Sequence, residues 1–340
     1  MKYRVLVLTH QDIEVPDSVD GFSDKEIVVW RTEYDVLTAL AHLGHEGLLI
    51  GGADGMAAIR QALLDWKPHI VFNLLEEFRG RGIYVPYLLG YCELMGQPFT
   101  GCNPAGLLLT DNKALTKKIL RYHRIPVPAF LLVARGRRVR RPQRLGFPLI
   151  VKSNTAHGSV GIAQASVVNS EEELVDRVAF VHESLQTDAI VEQYIEGREI
   201  YVALIGNRRL TTFPIRELGL ESMPEGTHRI ATQKVKWDLD YRDKHRIKCR
   251  IAERLPDGLA DRVFSLCKRV YRILNINGYA RMDLRLTDAG RVYVLEPNPN
   301  PDLALDDDFA EAAEAGGMPY DRLIQRIINL GLKFHVRSAP

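Results

Sequence analysis

Apolar positions along the first hundred residues change period several times. Residues 5–8 are continuously apolar, as in a buried strand, and residues 32–43 carry Val36, Leu37, Leu40 and Leu43 at helical spacing before Gly44. Residues 46–50 form a second strand closed by Gly51 and Gly52, residues 56–66 a helix, and Pro68 leads into a third strand ending near Phe72. Strand alternating with helix predicts an α/β unit on a largely parallel sheet. Gly51, Gly52 and Gly55 do not have the GxGxxG spacing of a dinucleotide fingerprint.

A second segment begins at Asn103-Pro104. Residues 111–123 predict a lysine-rich helix, which Pro126 and Pro128 break into an extended run over 129–133. A strand over 148–152 leads into a loop of small residues, 153–161. Ser170 and Glu173 form a capping box for a helix reaching 183, and 189–194 is the next strand. A third segment carries strands at 199–205 and 210–214, a polar stretch over 217–253, a helix over 258–274, a hairpin, and a closing helix over 320–330. The polar stretch predicts a loop or lid, because long insertions in compact folds are usually functional. The predicted division is an N-terminal α/β unit at 1–102, a central unit at 103–190 and a C-terminal unit at 191–340, with no internal repeat.

The hairpin holds the most informative side chains. Arg281, Asp283 and Arg285 alternate with apolar residues, a turn follows at Asp288-Ala289-Gly290, and the return strand ends in Glu296-Pro297-Asn298. Glu296 and Asn298 are two residues apart and share a face. With Asp283 they offer three oxygen donors from paired strands, which suits Mg²⁺ beside a nucleoside triphosphate. A surface hairpin with ordinary salt bridges is the plainer alternative.

Composition removes several other classes. The 340 residues suffice for two or three domains, and 46% hydrophobic with 26% charged content is ordinary for a soluble globular protein. A formal net charge of +2 gives no global case for nucleic acid. Cys92, Cys102, Cys249 and Cys267 have no CxxC spacing, which argues against a zinc site or disulfide framework and fits a reducing compartment. The chain runs from Met1 straight into a strand without a signal-peptide apolar region, and no apolar run approaches the roughly 20 residues of a membrane span. The expectation is a cytoplasmic protein with no membrane partner.

Two further features favour phosphate chemistry. Lys152 ends a strand, and the following loop, with Gly158, Ser159, Val160 and Gly161, can turn backbone N–H groups toward an anion. Its lysine precedes the glycines, so it is not a Walker A loop. Lys113 supplies a second cation; alone it would read as a solvated helix residue. Residues 192–199 join two strands, where a strand edge can offer backbone groups to a purine and a carboxylate can accept from ribose. An ordinary turn is the alternative there.

In this order the motifs resemble the ATP-grasp ligases and, within them, the D-alanine–D-alanine ligases. The matching residues are Asp111 to Lys113, Phe147 to Lys152 with Gly158 to Gly161, Glu192 to Glu199, Lys236, and Arg281 to Asp283 with Glu296 and Asn298, a likeness running over about 71–330. The resemblance implies an α/β ATP-grasp fold: a Rossmann-like parallel-sheet domain followed by two ATP-grasp subdomains. It implies that Lys113 and Lys152 contact ATP phosphates under the Gly158, Ser159, Val160 and Gly161 loop. Glu192, with backbone groups of Gln193, Tyr194 and Ile195, would hold adenine, and Glu199 ribose. Asp283, Glu296 and Asn298 would hold two Mg²⁺ ions, with Mn²⁺ as a substitute, while Arg281 faces the reacting carboxylate and Lys236 approaches the γ-phosphate. The implied activity is ATP-dependent joining of a small-molecule carboxylate to an amine, amino acids or peptides among them, through an acyl phosphate. A homodimer is the assembly the resemblance leaves open.

Three departures set the substrate apart. The segment after the first strand, Thr9 to Glu14, is not glycine-rich, so the glutamate expected for the first substrate falls on Glu14, Glu26 or Glu33. The family's histidine-glycine segment is replaced by Glu76-Glu77, and small residues after the metal asparagine by Asp302 and Asp306 to Asp308. Those aspartates either disfavour an amine substrate with a free carboxylate, through like-charge repulsion, or cap the following helix. The alternatives are thus a genuine D-alanine–D-alanine ligase and, in another class, a nucleotide-binding regulatory module without turnover. The run Arg135 to Arg144 lacks interleaved aromatics and reads as a solvated loop rather than a nucleic-acid contact.

Overall fold

The computed structural model describes residues 1–9, 13–52 and 55–338, the last four by backbone only. Three sheets organise the described chain. In the first, β1 (Arg4–Thr9) lies between β2 (Glu46–Gly51) and β3 (Ile70–Asn73), parallel to both. Its central place explains why β1 is apolar throughout: Val5 to Leu8 have solvent on neither face. The second sheet contains β4 (Phe130–Val133), β5 (Leu149–Ser153), β6 (Val167–Val168) and β7 (Ala189–Gln193) in the antiparallel order β4-β7-β5-β6. The third contains β8 (Arg198–Ile205), β9 (Thr211–Thr212), β10 (Arg216–Leu218), β11 (Cys249–Ile251), β12 (Tyr279–Leu286) and β13 (Val292–Pro299). Its order is β11-β10-β8-β12-β13, with β9 against β8 and every pair antiparallel.

Several predicted elements are revised. The lysine-rich helix expected at 111–123 is present as Lys113–Tyr122, and a further helix that was not expected, Pro104–Asp111, precedes it, the two parted at Asn112. Asn112 has extended backbone and its side chain accepts from the Leu115 N–H, capping the second helix. The strand expected at 210–214 shrinks to Thr211–Thr212. The polar stretch is a folded excursion: its ends, β10 and β11, pair with each other, and helices Gln233–Trp237 and Leu239–Lys244 lie between. Helix Val85–Leu94 had no amphipathic signature because apolar residues lie all round it. The closing helix runs further than expected, Tyr320–Ser338. Ser170 caps helix Glu171–Ser184 as predicted, but Glu173 reaches back to the Asn169 N–H at 2.7 Å rather than to Ser170.

One apolar core spans the first and third sheets. Val5, Val7, Ile70 and Phe72 pack with Ala203, Ile205 and Tyr279 through Ile324, Ile327 and Ile328 of the closing helix. The second sheet has its own core, where Leu149, Val151 and Val191 meet Leu174, Val178 and Val181 of helix Glu171–Ser184.

Candidate active site

Register decides which side chains of the third sheet share a face. Tyr201 pairs with Asp283 and with Arg216, Glu199 with Arg285, Asp283 with Glu296, and Arg281 with Asn298. Directly opposed residues point the same way, so Glu199, Tyr201, Arg216, Arg281, Asp283, Arg285, Glu296 and Asn298 form one polar face. The other face is apolar: Ile200, Val202, Met282, Leu284 and Val294 belong to a buried cluster.

β13 reaches the polar face only through an irregularity. Leu284 pairs with Val294, but the next residue back, Asp283, pairs with Glu296. Leu295 is therefore the extra residue of a β-bulge. Without it, the alternation that sends Val294 into the core would send Glu296 and Asn298 there too. The sequence places Glu296 and Asn298 together correctly but gives no sign of the bulge.

Helix Lys113–Tyr122 and the second sheet bring cations to this edge. Lys113 Nζ lies 2.9 Å from Glu296 Oε1 and donates to the Ala156 carbonyl at 2.6 Å. Lys117 Nζ donates to the Leu295 carbonyl at 2.7 Å and lies 3.2 Å from Glu192 Oε1. Lys152 Nζ lies 3.2 Å from Glu192 Oε2. His157 bridges Asp111 and Glu296, each at 3.2 Å. Burial alone would raise both glutamates, yet Lys117 and Lys152 hold Glu192 below the usual carboxylate range, and Lys113 with His157 holds Glu296 well below it.

Arg281 forms a fork on Asp283, Nε to Oδ1 at 2.8 Å and Nη2 to Oδ2 at 3.1 Å, with its guanidinium 4.9 Å from the Tyr201 ring centre. Burial still pushes Asp283 above its ordinary value, and the Glu296 charge adds to that; Arg281 and Lys236 act against it. Lys236 thus stands near the acidic end of this face. Glu199 accepts from Tyr201 at 3.0 Å and lies 3.2 Å from Arg285. It lines a cavity of about 770 Å³ together with Tyr194, Gly197, Arg198, His228 and Arg229.

The small-residue loop is clasped by the excursion. Gly158, Ser159 and Gly161 have positive φ, the geometry that aims successive N–H groups to one side. Trp237 Nε1 donates to the Gly158 carbonyl at 2.7 Å, and the Gln233 backbone N–H donates to Ile162 at 2.9 Å. Val160 at the loop tip is exposed. The Gln193 and Tyr194 amides already donate to Ala129 and Pro148, so an adenine contact by those two N–H groups is closed off in this conformation.

A family model described as D-ala D-ala ligase C-terminus matches residues 119–329. An uncharacterized protein of Sinorhizobium fredii, y4sG, is 32% identical over 307 residues, 88% of this chain and 87% of that protein. The chain belongs to the D-alanine–D-alanine ligase family. The D-alanine–D-alanine ligase of Moorella thermoacetica is 29% identical over 92% of this chain and 96% of its own. A crystal structure of the Bacillus anthracis D-alanine–D-alanine ligase complexed with ATP superposes with a TM-score of 0.77, covering 99% of this chain and all of that one at 23% identity, and establishes the shared fold. The protein is therefore an ATP-grasp ligase, of the class forming carbon–nitrogen bonds, and the family implies ATP and a divalent metal.

This ligase's residues fit such a metal. Among the described residues no three His, Cys, Asp or Glu side chains cluster at ligand spacing. The candidate donors are instead two carboxylates facing each other across the hairpin and the Asn298 amide, hard oxygen donors throughout. Both carboxylates stand beside cations, Glu296 Oε1 against Lys113 and His157 and buried Asp283 against Arg281, so this face already gathers the charge balance a divalent ion would enter.

Of the candidate first-substrate glutamates in the ligase, Glu14 and Glu26 are exposed, while Glu33 is buried and accepts from Thr9 Oγ1. Asp307 occupies the N-cap position of helix Asp308–Ala315, in keeping with the capping alternative, but its side chain makes no cap bond. Asp308 lies 3.7 Å from Arg281. Sequence reasoning missed Lys117, His157, Tyr201, Arg216, Trp237 and Arg285. Lys117 had one signal: it stands four residues from Lys113, on the same helical face.

No described helix is long and apolar enough to cross a membrane.

Proposed function

We propose that this ligase activates a small-molecule carboxylate as an acyl phosphate at the expense of ATP and transfers the acyl group to an amine. One observation carries the reading: Lys113 reaches Glu296 at 2.9 Å, on the face that also presents Arg281, Asp283 and Asn298. A phosphate-binding edge and a carboxylate-binding edge thereby meet in one cleft.

In this reading the triphosphate lies between the small-residue loop and β13. Lys113 and Lys152 contact its phosphates, the Gly158, Ser159, Val160 and Gly161 backbone folds over them, and Lys236 approaches the γ-phosphate. Ile195 and the strand carbonyls after Glu192 take the adenine edge, because the Gln193 and Tyr194 amides are engaged. Glu199 takes ribose. Asp283, Glu296 and Asn298 would hold Mg²⁺ or Mn²⁺, two ions in all, which when bound supply charge screening. A substrate carboxylate oxygen attacks the γ-phosphorus and ADP leaves; the amine then attacks the acyl carbon, loses a proton, and phosphate leaves. Arg281 offsets repulsion between the two anions and stabilises the oxyanion of the second step. The clasped excursion keeps water from the acyl phosphate. We place the reaction in the cytoplasm.

The names of the relatives favour amino acids as substrates. The departures at Glu76, Glu77 and Asp302 favour a pocket unlike that of a D-alanine–D-alanine ligase, whereas the 29% identity to the Moorella thermoacetica enzyme favours that ligase activity itself. A matrix of carboxylates and amines scored by phosphate release, with mass spectrometry of the products, separates them. At least one pair is expected to yield ADP, phosphate and an amide. A clear preference for D-alanine in both positions would select the cell-wall activity. ATP binding without turnover across the panel would overturn the proposal in favour of a regulatory module.

A further inference from the structure

Lys117 is 2% exposed, and a buried ammonium survives only when its charge and donors are matched. Its two partners come from different sheets: Glu192 on β7 of the second and Leu295 on β13 of the third. The Leu295 carbonyl is an unusual acceptor. Leu295 is the bulged residue and has no counterpart in the β12–β13 register, and a bulge leaves its extra residue unpaired and the ladder locally disrupted. Lys117 supplies a bond at that point. The β-bulge, in turn, is what moves Glu296 and Asn298 from the apolar face to the polar one.

We infer that Lys117 is a positioning residue for the metal site: its bond to the Leu295 carbonyl fixes the bulge that presents Glu296 and Asn298, and its ion pair with Glu192 ties that bulge to the nucleoside end of the cleft. The inference rests on the proposed reading of Asp283, Glu296 and Asn298 as metal ligands. Lys117 itself touches neither nucleotide nor reacting atoms in this scheme. Lys113, one turn earlier, contacts Glu296 directly; Lys117 acts on the backbone next to it.

The test uses the full chain with the non-hydrolysable analogue AMP-PNP. Mn²⁺ affinity is read from the electron paramagnetic resonance of free Mn²⁺, AMP-PNP affinity by calorimetry, and backbone mobility by hydrogen exchange of the peptide covering 292–299. Lys117→Met is expected to weaken Mn²⁺ binding by about tenfold or more, as for groups that orient metal ligands, to change AMP-PNP affinity without metal far less, and to speed exchange in that peptide. A general structural role would lower stability without splitting metal from nucleotide affinity. Should Lys117→Met leave Glu192 unpaired and the chain unfolded, the double variant Lys117→Met, Glu192→Gln removes the stranded charge, and the same loss of Mn²⁺ affinity is expected. Mn²⁺ affinity unchanged in whichever variant folds overturns the inference while the metal reading stands. Failure of the wild-type chain to bind Mn²⁺ with AMP-PNP overturns both.

Discussion

Glu192 is 1% exposed and stands between two lysines, so its charge is a stability element as well as a candidate ligand. Its folded pKa lies below the ordinary 4.5, and the stabilisation is therefore present above pH 4.5 and lost as pH falls through the folded value. Melting temperature should drop on acidification below pH 4.5, and more steeply for wild type than for Glu192→Gln, which has no carboxylate to protonate. Equal slopes by calorimetry would deny the carboxylate this role. Glu192→Ala leaves Lys117 buried with half its compensation and should cost about 3–5 kcal/mol in denaturant titration. Glu296→Gln behaves differently. It is isosteric, keeps an oxygen toward Lys113, and should fold while losing about 10²–10³ in turnover; Lys152→Ala should lose turnover too, at a further cost in stability because buried Glu192 then keeps only Lys117. Near-wild-type rates in either would contradict the proposed roles.

At the scale of elements, the clasp between helix Gln233–Trp237 and the small-residue loop makes a specific forecast. The Trp237 indole donates to Gly158, and a Cβ on Gly158 would stand 3.5 Å from the same ring. Trp237→Phe keeps most of the ring but loses the donor, a change of about 1 kcal/mol. Limited proteolysis within 217–253 should accelerate about fivefold by that figure, and AMP-PNP should slow it. Cleavage unaffected by the substitution would mean that the clasp does not hold the excursion. The sequence marked the excursion as a loop or lid, but the clasp and the helices within it were not legible there. The hairpin was legible because its alternation and turn residues are local signals, as were the parallel sheet and the Ser170 cap. The Leu295 bulge was not, because it is imposed by Lys117 and the core beneath, far away in sequence. The start of the helix expected at 111–123 was set two residues early for a related reason: only the cap geometry at Asn112 shows that the preceding helix, Pro104–Asp111, ends there and Lys113–Tyr122 begins.

The whole molecule joins its parts in an order the chain does not suggest. The first and third sheets, separated by more than a hundred residues, share one core through the closing helix, while the second sheet between them in sequence is cored separately. Cooperative units follow shared apolar contacts rather than sequence order. Ile324 is fully buried in the shared core, so Ile324→Ala should cost about 2–5 kcal/mol and speed hydrogen exchange in peptides from both the β1–β3 and the β8–β12 sheets. Leu149→Ala, a cavity of comparable kind in the second sheet's core, should speed exchange in β5 and β7 and leave β1 and β12 nearly unchanged. In that arrangement the second sheet, carrying Lys152, Glu192 and the small-residue loop, can shift as one piece against a fixed base that holds Arg281, Asp283 and Glu296. AMP-PNP, bridging the two, should then protect the second sheet more than the base. Exchange that spreads evenly from Leu149→Ala through all three sheets would show a single cooperative unit, and the cleft would have to open by some motion other than displacement of the second sheet.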